Sequence, residues 1–273
     1  MKVLIPALFL SIALIGCKKQ HAPVSETHHG AVTAHWGYEG KDGPEYWPRL
    51  SPAYAACSQG REQSPINIVQ TASGDQGAWK LDYKQTSLKI AHHEHVIDIV
   101  DNGHTIQVTV DEGSTLTTGR SVYRLKQFHF HTPSEHTIDG SHFPLEVHFV
   151  HQDEQGRFAV LAALYQEGPA NENLAKIIAH FPKAKGQSAE IPEVSLDLNF
   201  HMPATNASYT YLGSLTTPPC TEGVEWLVFR DPISASKDQL EAFARVLGTT
   251  NRPVQPLNGR IIGRRSTEGQ IKP

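Results

Sequence analysis

Apolar residues recur along this chain mostly at every second position, the period of a strand whose alternate side chains face opposite sides of a sheet. Phe128–His131 and Leu145–His151 alternate in this way. Phe158–Tyr165 and Val224–Phe229 are nearly unbroken apolar runs, as in strands covered on both faces. His95–Val100 and His104–Val110 flank Asp101-Asn102-Gly103, and Asn-Gly between two β-branched runs predicts a hairpin. Helical spacing is confined to two places. Leu174, Ile177, Ile178 and Phe181 predict a helix over Asn171–Phe181, and Ser236-Lys237-Asp238-Gln239 has the form of a capping box opening another. The predicted fold class is α+β, mainly β: a single domain around a large twisted, mostly antiparallel sheet with a few short peripheral helices.

The two ends depart from this pattern. Lys2 leads an apolar run of fourteen residues, Val3 to Gly16. A membrane-spanning helix needs about 20, so residues 1–16 predict a signal peptide. The run closes on Leu14-Ile15-Gly16-Cys17, which resembles the lipobox of bacterial lipoproteins, where the chain is cut before the cysteine and the cysteine is acylated. Residues 17–34 are polar, contain His21, His28 and His29, and predict a solvated tether. No linker follows Trp36, so 35–263 reads as the domain and 264–273 as a polar tail. The net charge of −4 offers no basic surface for nucleic acid. With Cys17 assigned to lipid, Cys57 and Cys220 remain as an even pair. In an exported protein that suggests one disulfide, with a chain-entropy ceiling of roughly 5 kcal/mol for so long a loop; two unpaired buried thiols are the alternative.

The chain holds 16 histidines, and their placement matters more than their number. His129 and His131 lie two apart on a strand, with Cα atoms about 6.8 Å apart, so both imidazoles can reach one ion while Phe128 and Phe130 face away. A second strand offers Glu146, His148 and Val150 on one face. If the two strands are neighbours, His129, His131 and His148 supply three nitrogens and no fourth protein ligand, the layout of a catalytic zinc. A ligating histidine also needs an acceptor for its other ring nitrogen. Gln127 stands two residues before His129, and Glu146 two before His148. His129-x-His131-x-x-x-Glu135 also resembles the first metal motif of cupins, but the second cupin motif is missing after Gly140.

Further motifs decide between these. Trp36-Gly37-Tyr38, Gln63-Ser64-Pro65-Ile66-Asn67, Asn102-Gly103-His104, Gln127–His131, Ser134-Glu135-His136, Glu146–His151, Gly213–Cys220 and Asn251-Arg252-Pro253-Val254-Gln255-Pro256-Leu257 occur in one order across the domain. Together they resemble the α-class carbonic anhydrases. Thr132-Pro133, standing where animal members commonly have an aromatic residue and a glycine, points to the bacterial branch.

The resemblance implies a zinc lyase interconverting CO2 and bicarbonate by attack of zinc-bound hydroxide. His129, His131 and His148 would hold the metal, and Gln127 and Glu146 would orient two of them. His131 would donate to a backbone carbonyl near Thr250, an arrangement that leaves the side chain at 250 little to do. Thr216 would accept from the nucleophile and donate to Glu135, and Thr217 with the Thr216 N–H would position bicarbonate. Val150, Val160, Leu215, Val224 and Trp226 would form the apolar wall for CO2. His104 would shuttle protons through waters ordered by Tyr38, Asn102 and Gln107. Bacterial members pair cysteines at positions matching Cys57 and Cys220 beside Pro218-Pro219, whose peptide bond is cis in the family, and are often homodimers. Export to the periplasm, with a lipid on Cys17 as the only membrane contact, completes the expectation; Lys18 favours the outer membrane by resemblance to enterobacterial lipoproteins. His92, His93 and His95 receive no role.

Overall fold

The computed structural model describes residues 34–69, 75–92, 105–119, 121–203 and 207–267, together with Met1. The signal segment, Cys17 and nearly all of the tether therefore lie outside the described residues, as do Asn102 and His104. The chain divides between residues 32 and 33, and the described residues from 34 onward belong to the second unit.

In chain order the strands begin with β1 (Asn67–Ile68), β2 (Asp75–Asp82), β3 (Gln85–His92), β4 (Ile106–Thr109) and β5 (Thr115–Thr118). β6 (Ser121–His131), β7 (Thr137–Ile138), β8 (Ser141–His142), β9 (Leu145–Gln152) and β10 (Phe158–Glu167) follow. The last are β11 (Ser188–Asp197), β12 (Ala207–Ser214), β13 (Glu222–Phe229), β14 (Ile233–Ala235) and β15 (Gly263–Thr267). The helices are α1 (Trp47–Leu50), α2 (Ala56–Gln59), α3 (Glu172–Ala179) and α4 (Lys237–Leu247).

Twelve strands make one sheet in the order β11-β3-β4-β6-β5-β2-β15-β12-β13-β10-β14, with β9 paired to both β10 and β6. The pairings β6–β5–β2–β15–β12–β13–β10–β9 consequently return to β6 and close a ring. Most pairs are antiparallel, and β10–β13, β10–β14 and β15–β2 are parallel. At the two ends of the order, β14 is three residues long, and β11 carries an exposed Pro192 with its register broken between Ile191 and Ser195. The sequence predicts a polar tail at 264–273; of it, residues 264–267 instead continue the domain, and the rest lies outside the described residues. Gly263–Thr267 is strand β15, held between β12 and β2. Of the predicted hairpin, β4 is present and pairs with β3 and β6, while residues 93–104 lie outside the described set.

β10 shows why its sequence is an unbroken apolar run. Ala159, Leu161, Ala163 and Tyr165 belong to one buried cluster, and Val160, Ala162 and Leu164 belong to another. Both faces of the strand are core. Beside it, β9 sends Val147 and Phe149 into the larger cluster, while Val150 joins the smaller one with Trp226 and Val228.

β6 changes face along its length. Tyr123 and Leu125 are core residues before Lys126, and Phe128 and Phe130 are core residues after it. The register against β9 shifts between Leu125 and Gln127, so a bulge at Lys126 reverses the alternation. That reversal brings Gln127, His129 and His131 to the face that carries Glu146 and His148.

The two longer helices cover the other face. Asn171 caps α3 by accepting from Leu174 N–H, and Ser236 with Gln239 forms the predicted capping box of α4. The Gln239 amide also takes the Asn171 N–H at 2.9 Å and donates to its carbonyl at 2.7 Å, tying the two helix starts together. From α4, Phe243 packs on Phe130 with ring centroids 4.5 Å apart, behind the histidine strand.

His151, on the core face of β9, is fully buried. Its Nδ1–H donates to the Ala159 carbonyl at 3.2 Å and its Nε2 accepts the Tyr83 hydroxyl at 2.7 Å, an arrangement that requires the neutral ring. Burial pushes the imidazole down to about 3. In the unfolded chain it titrates near 6.5, so as pH falls from there the unfolded state gains a proton that the folded state refuses. Stability is therefore expected to fall from pH 6.5 toward pH 3, with this group contributing up to about 1.4 kcal/mol per pH unit. Urea unfolding at pH 4 to 7 should show a shallower pH dependence in His151→Gln than in the parent.

Candidate metal centre and active site

β6 and β9 are neighbours, and His129 stands directly opposite His148 in their register. On the other side of β6, Gln107 of β4 faces His129. His131 lies one pleat along from His129, and the ring centroids of the three histidines are 4.6 to 5.3 Å apart. One nitrogen from each ring falls within a group whose members all lie within 4.8 Å of one another. All three side chains are buried.

The outer nitrogen of each ring is already engaged. His129 Nδ1–H donates to Gln127 Oε1 at 2.9 Å, His131 Nδ1–H to the Thr250 carbonyl at 2.6 Å, and His148 Nε2–H to Glu146 Oε1 at 2.8 Å. These oxygens can only accept, so each proton sits on the outer nitrogen and each remaining lone pair faces the common centre. His131 Nε2 is buried and has no hydrogen-bond partner. Burial lowers the pKa of His131, which favours the neutral form that ligates a metal. Three neutral imidazoles with fixed tautomers and no fourth protein donor fit zinc with a coordination position left open.

Glu146 does more than orient His148. Its Oε2 accepts the backbone N–H groups of Glu135 and His136 at 2.8 and 2.9 Å, and its Oε1 also accepts His136 Nδ1–H at 2.7 Å. Burial alone would raise its pKa, but His136 and His148 beside it hold the carboxyl well below the usual carboxylate range. His136 continues the network through Nε2 to the Tyr211 hydroxyl at 2.7 Å, and Tyr211 reaches Ser64 Oγ at 2.9 Å. His136, Glu146 and His148 also meet the spacing of a metal group, but their contacts of 2.7 and 2.8 Å are hydrogen bonds, with a donor nitrogen on each side of the carboxylate. No role for His136 follows from the sequence, because Tyr211 lies 75 residues away on another strand.

Glu135 is fully buried, and its Oε1 accepts the Arg252 backbone N–H at 2.9 Å. Its Oε2 lies 3.7 Å from His131 Nε2 and 3.9 Å from His148 Nδ1 and accepts no hydrogen bond. The bond expected from Thr216 is thus not made in this structure, where Oε2 is turned toward the two imidazoles. The loop carrying Thr216 is held in several ways. Leu215 N–H donates to Thr221, Cys220 N–H donates to Thr217, and Cys57 and Cys220 form a disulfide. The Pro218–Pro219 peptide is cis. Arg252 reaches from the Glu135 side to the other end of that disulfide, its guanidinium donating to the carbonyls of Cys57 and Ser64 at 2.7 Å each.

The five residues expected as an apolar wall, Val150, Val160, Leu215, Val224 and Trp226, all lie in the smaller buried cluster. Val150 and Trp226 stand opposite Val160 on either side, and the Trp226 ring is 4.9 Å from that of His148. Thr216 and Thr217 are buried at 6% and 2% exposure. Gln107 and Gln127 border a groove of about 540 Å³ that runs out over Thr109 and Lys89. Tyr38 packs edge-on against Trp36 and Trp47 and, with Thr250, lines a smaller cavity of about 280 Å³. The side chain of Thr250, expected to matter little, is 1% exposed, and its Oγ1 accepts the Thr132 N–H at 3.1 Å.

Residues 42–266 match the family model described as eukaryotic-type carbonic anhydrase. A carbonic anhydrase of Neisseria gonorrhoeae is 43% identical over 254 residues, covering 92% of this chain and 94% of that protein. One from Pectobacterium carotovorum is 43% identical over 231 residues, 84% of this chain and 91% of its own length. Among solved structures, the α-carbonic anhydrase of Thermovibrio ammonificans in complex with the inhibitor sulfanilamide aligns with a TM-score of 0.78 at 39% identity, over 85% of this chain and 99% of that one.

Removing Glu146 strands four buried donors, whereas removing Gln127 strands one. Glu146→Ala is therefore expected to lower unfolding free energy by about 3–5 kcal/mol, and Gln127→Ala by about 1–3 kcal/mol. Urea unfolding of the metal-free proteins reads the difference, and equal losses would contradict the account of Glu146.

Proposed function

The chain belongs to the eukaryotic-type (α) carbonic anhydrase family, and on that footing we propose which of its residues carry the reaction. It is a carbonic anhydrase: it catalyses the reversible hydration of CO2 to bicarbonate and a proton, and it uses zinc. The observation that carries the assignment of ligands is the inward nitrogen set of His129, His131 and His148, with every outer nitrogen committed to an acceptor. When bound there, zinc acidifies a water molecule and so supplies a nucleophile for CO2 at neutral pH, chemistry for which this enzyme class is itself the type example.

Around that centre the side chains divide the work. Gln127, Glu146 and the Thr250 carbonyl hold the imidazoles in the ligating tautomer. Thr216 would donate its hydroxyl proton to Glu135 once Oε2, which here faces His131 and His148 and accepts no hydrogen bond, turns toward it. A carboxylate only accepts, so the Thr216 oxygen would be left to accept from the nucleophile's O–H, which directs the nucleophile's own lone pair toward the substrate. Val150, Val160, Leu215, Val224 and Trp226 give CO2 an apolar surface next to His148. Thr217 and the Thr216 N–H position bicarbonate. Protons leave by His104, an imidazole being the side chain suited to proton relay near neutrality, through waters ordered by Tyr38, Asn102 and Gln107.

We also propose that the protein is exported to the periplasm and anchored by lipid on Cys17, with the outer membrane as destination. The Cys57–Cys220 disulfide supports an oxidising compartment. No helix among the described residues is long and apolar enough to cross a membrane. The family resemblance adds the expectation of a homodimer.

Stopped-flow CO2 hydration by the zinc-loaded protein tests the site. His148→Ala is expected to abolish activity, and retained activity would show that the ligand set is wrong. His104→Ala is expected to slow turnover in dilute buffer by up to about 100-fold and to recover on addition of imidazole. Without that recovery, His104 is not the shuttle.

A further inference from the structure

His131 differs from the other two ligands in what orients it. Gln127 and Glu146 act from two residues away on the same strands. The acceptor for His131 Nδ1–H is a backbone carbonyl 119 residues further on, in a stretch without regular secondary structure. Such a carbonyl directs an imidazole only if its own peptide is fixed.

The bonds that fix it converge on Thr132, the residue next to His131. Thr250 N–H donates to the Thr132 carbonyl at 2.8 Å, and Thr132 N–H donates to Thr250 Oγ1 at 3.1 Å. Thr132 Oγ1–H donates to the Gly248 carbonyl at 2.5 Å, holding the start of the same stretch. His131, Thr132 and Thr250 thus close a ring made of one peptide bond and hydrogen bonds. The three residues are 0%, 3% and 1% exposed, so the ring is shielded from bulk water.

We propose that Thr132 and Thr250 are positioning residues that aim His131 Nε2 at the metal, with the Thr250 hydroxyl oxygen as the acceptor that holds the ring closed. The proposal rests on the reading of His129, His131 and His148 as zinc ligands. Loss of a partner that orients a ligand typically costs 10–100-fold in metal affinity. Thr250→Val keeps the shape and removes the acceptor, whereas Thr250→Ser keeps the acceptor.

The test is the zinc dissociation constant of each purified protein, measured by competition with a chelator, alongside urea unfolding of the metal-free form. Thr250→Val is expected to bind zinc about 10–100-fold more weakly while still unfolding cooperatively, and Thr250→Ser to bind like the parent. An unchanged constant in Thr250→Val overturns the clamp, as does a loss in Thr250→Ser as large as that in Thr250→Val. Should metal-free Thr250→Val fail to fold, Thr132→Val removes only the bond to Gly248. It is expected to weaken zinc by a smaller factor, and no change there overturns the proposal. A parent protein that binds no zinc, or that binds it equally well as His131→Ala, overturns the zinc reading and the clamp with it. A failed clamp alone leaves the parent's zinc, and its dependence on His131, intact.

Discussion

An imidazole has two nitrogens, and in its neutral form only one of them presents a lone pair. A centre built from three imidazoles therefore works only where something else takes the other nitrogen of every ring. In this protein an amide, a peptide carbonyl and a carboxylate do so, all from buried positions. The carboxylate is the most heavily used of the three. Glu146 receives two backbone and two side-chain donors, and through His136 it links the ligand strand to Tyr211 and Ser64. The architecture around the site can be understood as the means of keeping these oxygens dry and in place.

The sheet supplies that means by separating its two faces. On β9 and the second half of β6, one set of alternate residues forms the centre and the other set forms the larger core. Behind the histidines Phe128 packs on both Phe130 and Phe149, and Phe130 is packed in turn by Phe243 of α4. A close-packed interior of this kind allows little side-chain displacement, so the ligand strand is backed by a stiff layer. The bulge at Lys126 lets one strand serve both arrangements. Before it, β6 contributes to the core with the parity of Tyr123 and Leu125; after it, with that of Phe128 and Phe130.

What the sequence discloses about this site follows the range over which its signals act. His129, His131, His148, Gln127 and Glu146 are legible because partners two residues apart on a strand share a face. β10 and the α4 capping box are legible for the same local reason. The bulge is visible only as a change of parity between Leu125 and Phe128, and the strands predicted from sequence do not place it. His136, Thr250 and Arg252 are harder still. Their partners lie 75, 118 and 195 residues away, where spacing carries no information. The sequence predicts a tail from residue 264 because Arg264-Arg265-Ser266-Thr267 has no apolar alternation. It is a strand because β12 and β2 both need a partner there. The Thr216–Glu135 bond is an expectation of the resemblance alone, and in the structure Glu135 Oε2 faces His131 and His148 and accepts no hydrogen bond.

A sheet of twelve strands has a hazard that the active site does not reveal: unpaired strand edges are templates on which other chains can assemble. Eight of these strands lie on the closed ring. At the ends of the order the edges are poor templates. β14 is three residues long, and β11 is interrupted at an exposed Pro192, carries Glu190 and Glu193, and breaks register between Ile191 and Ser195. Proline removes a donor from the ladder, and the glutamates repel a like strand. The irregularity in β11 therefore leaves this edge a poorer template for a neighbouring chain than a straight strand of the same length would be.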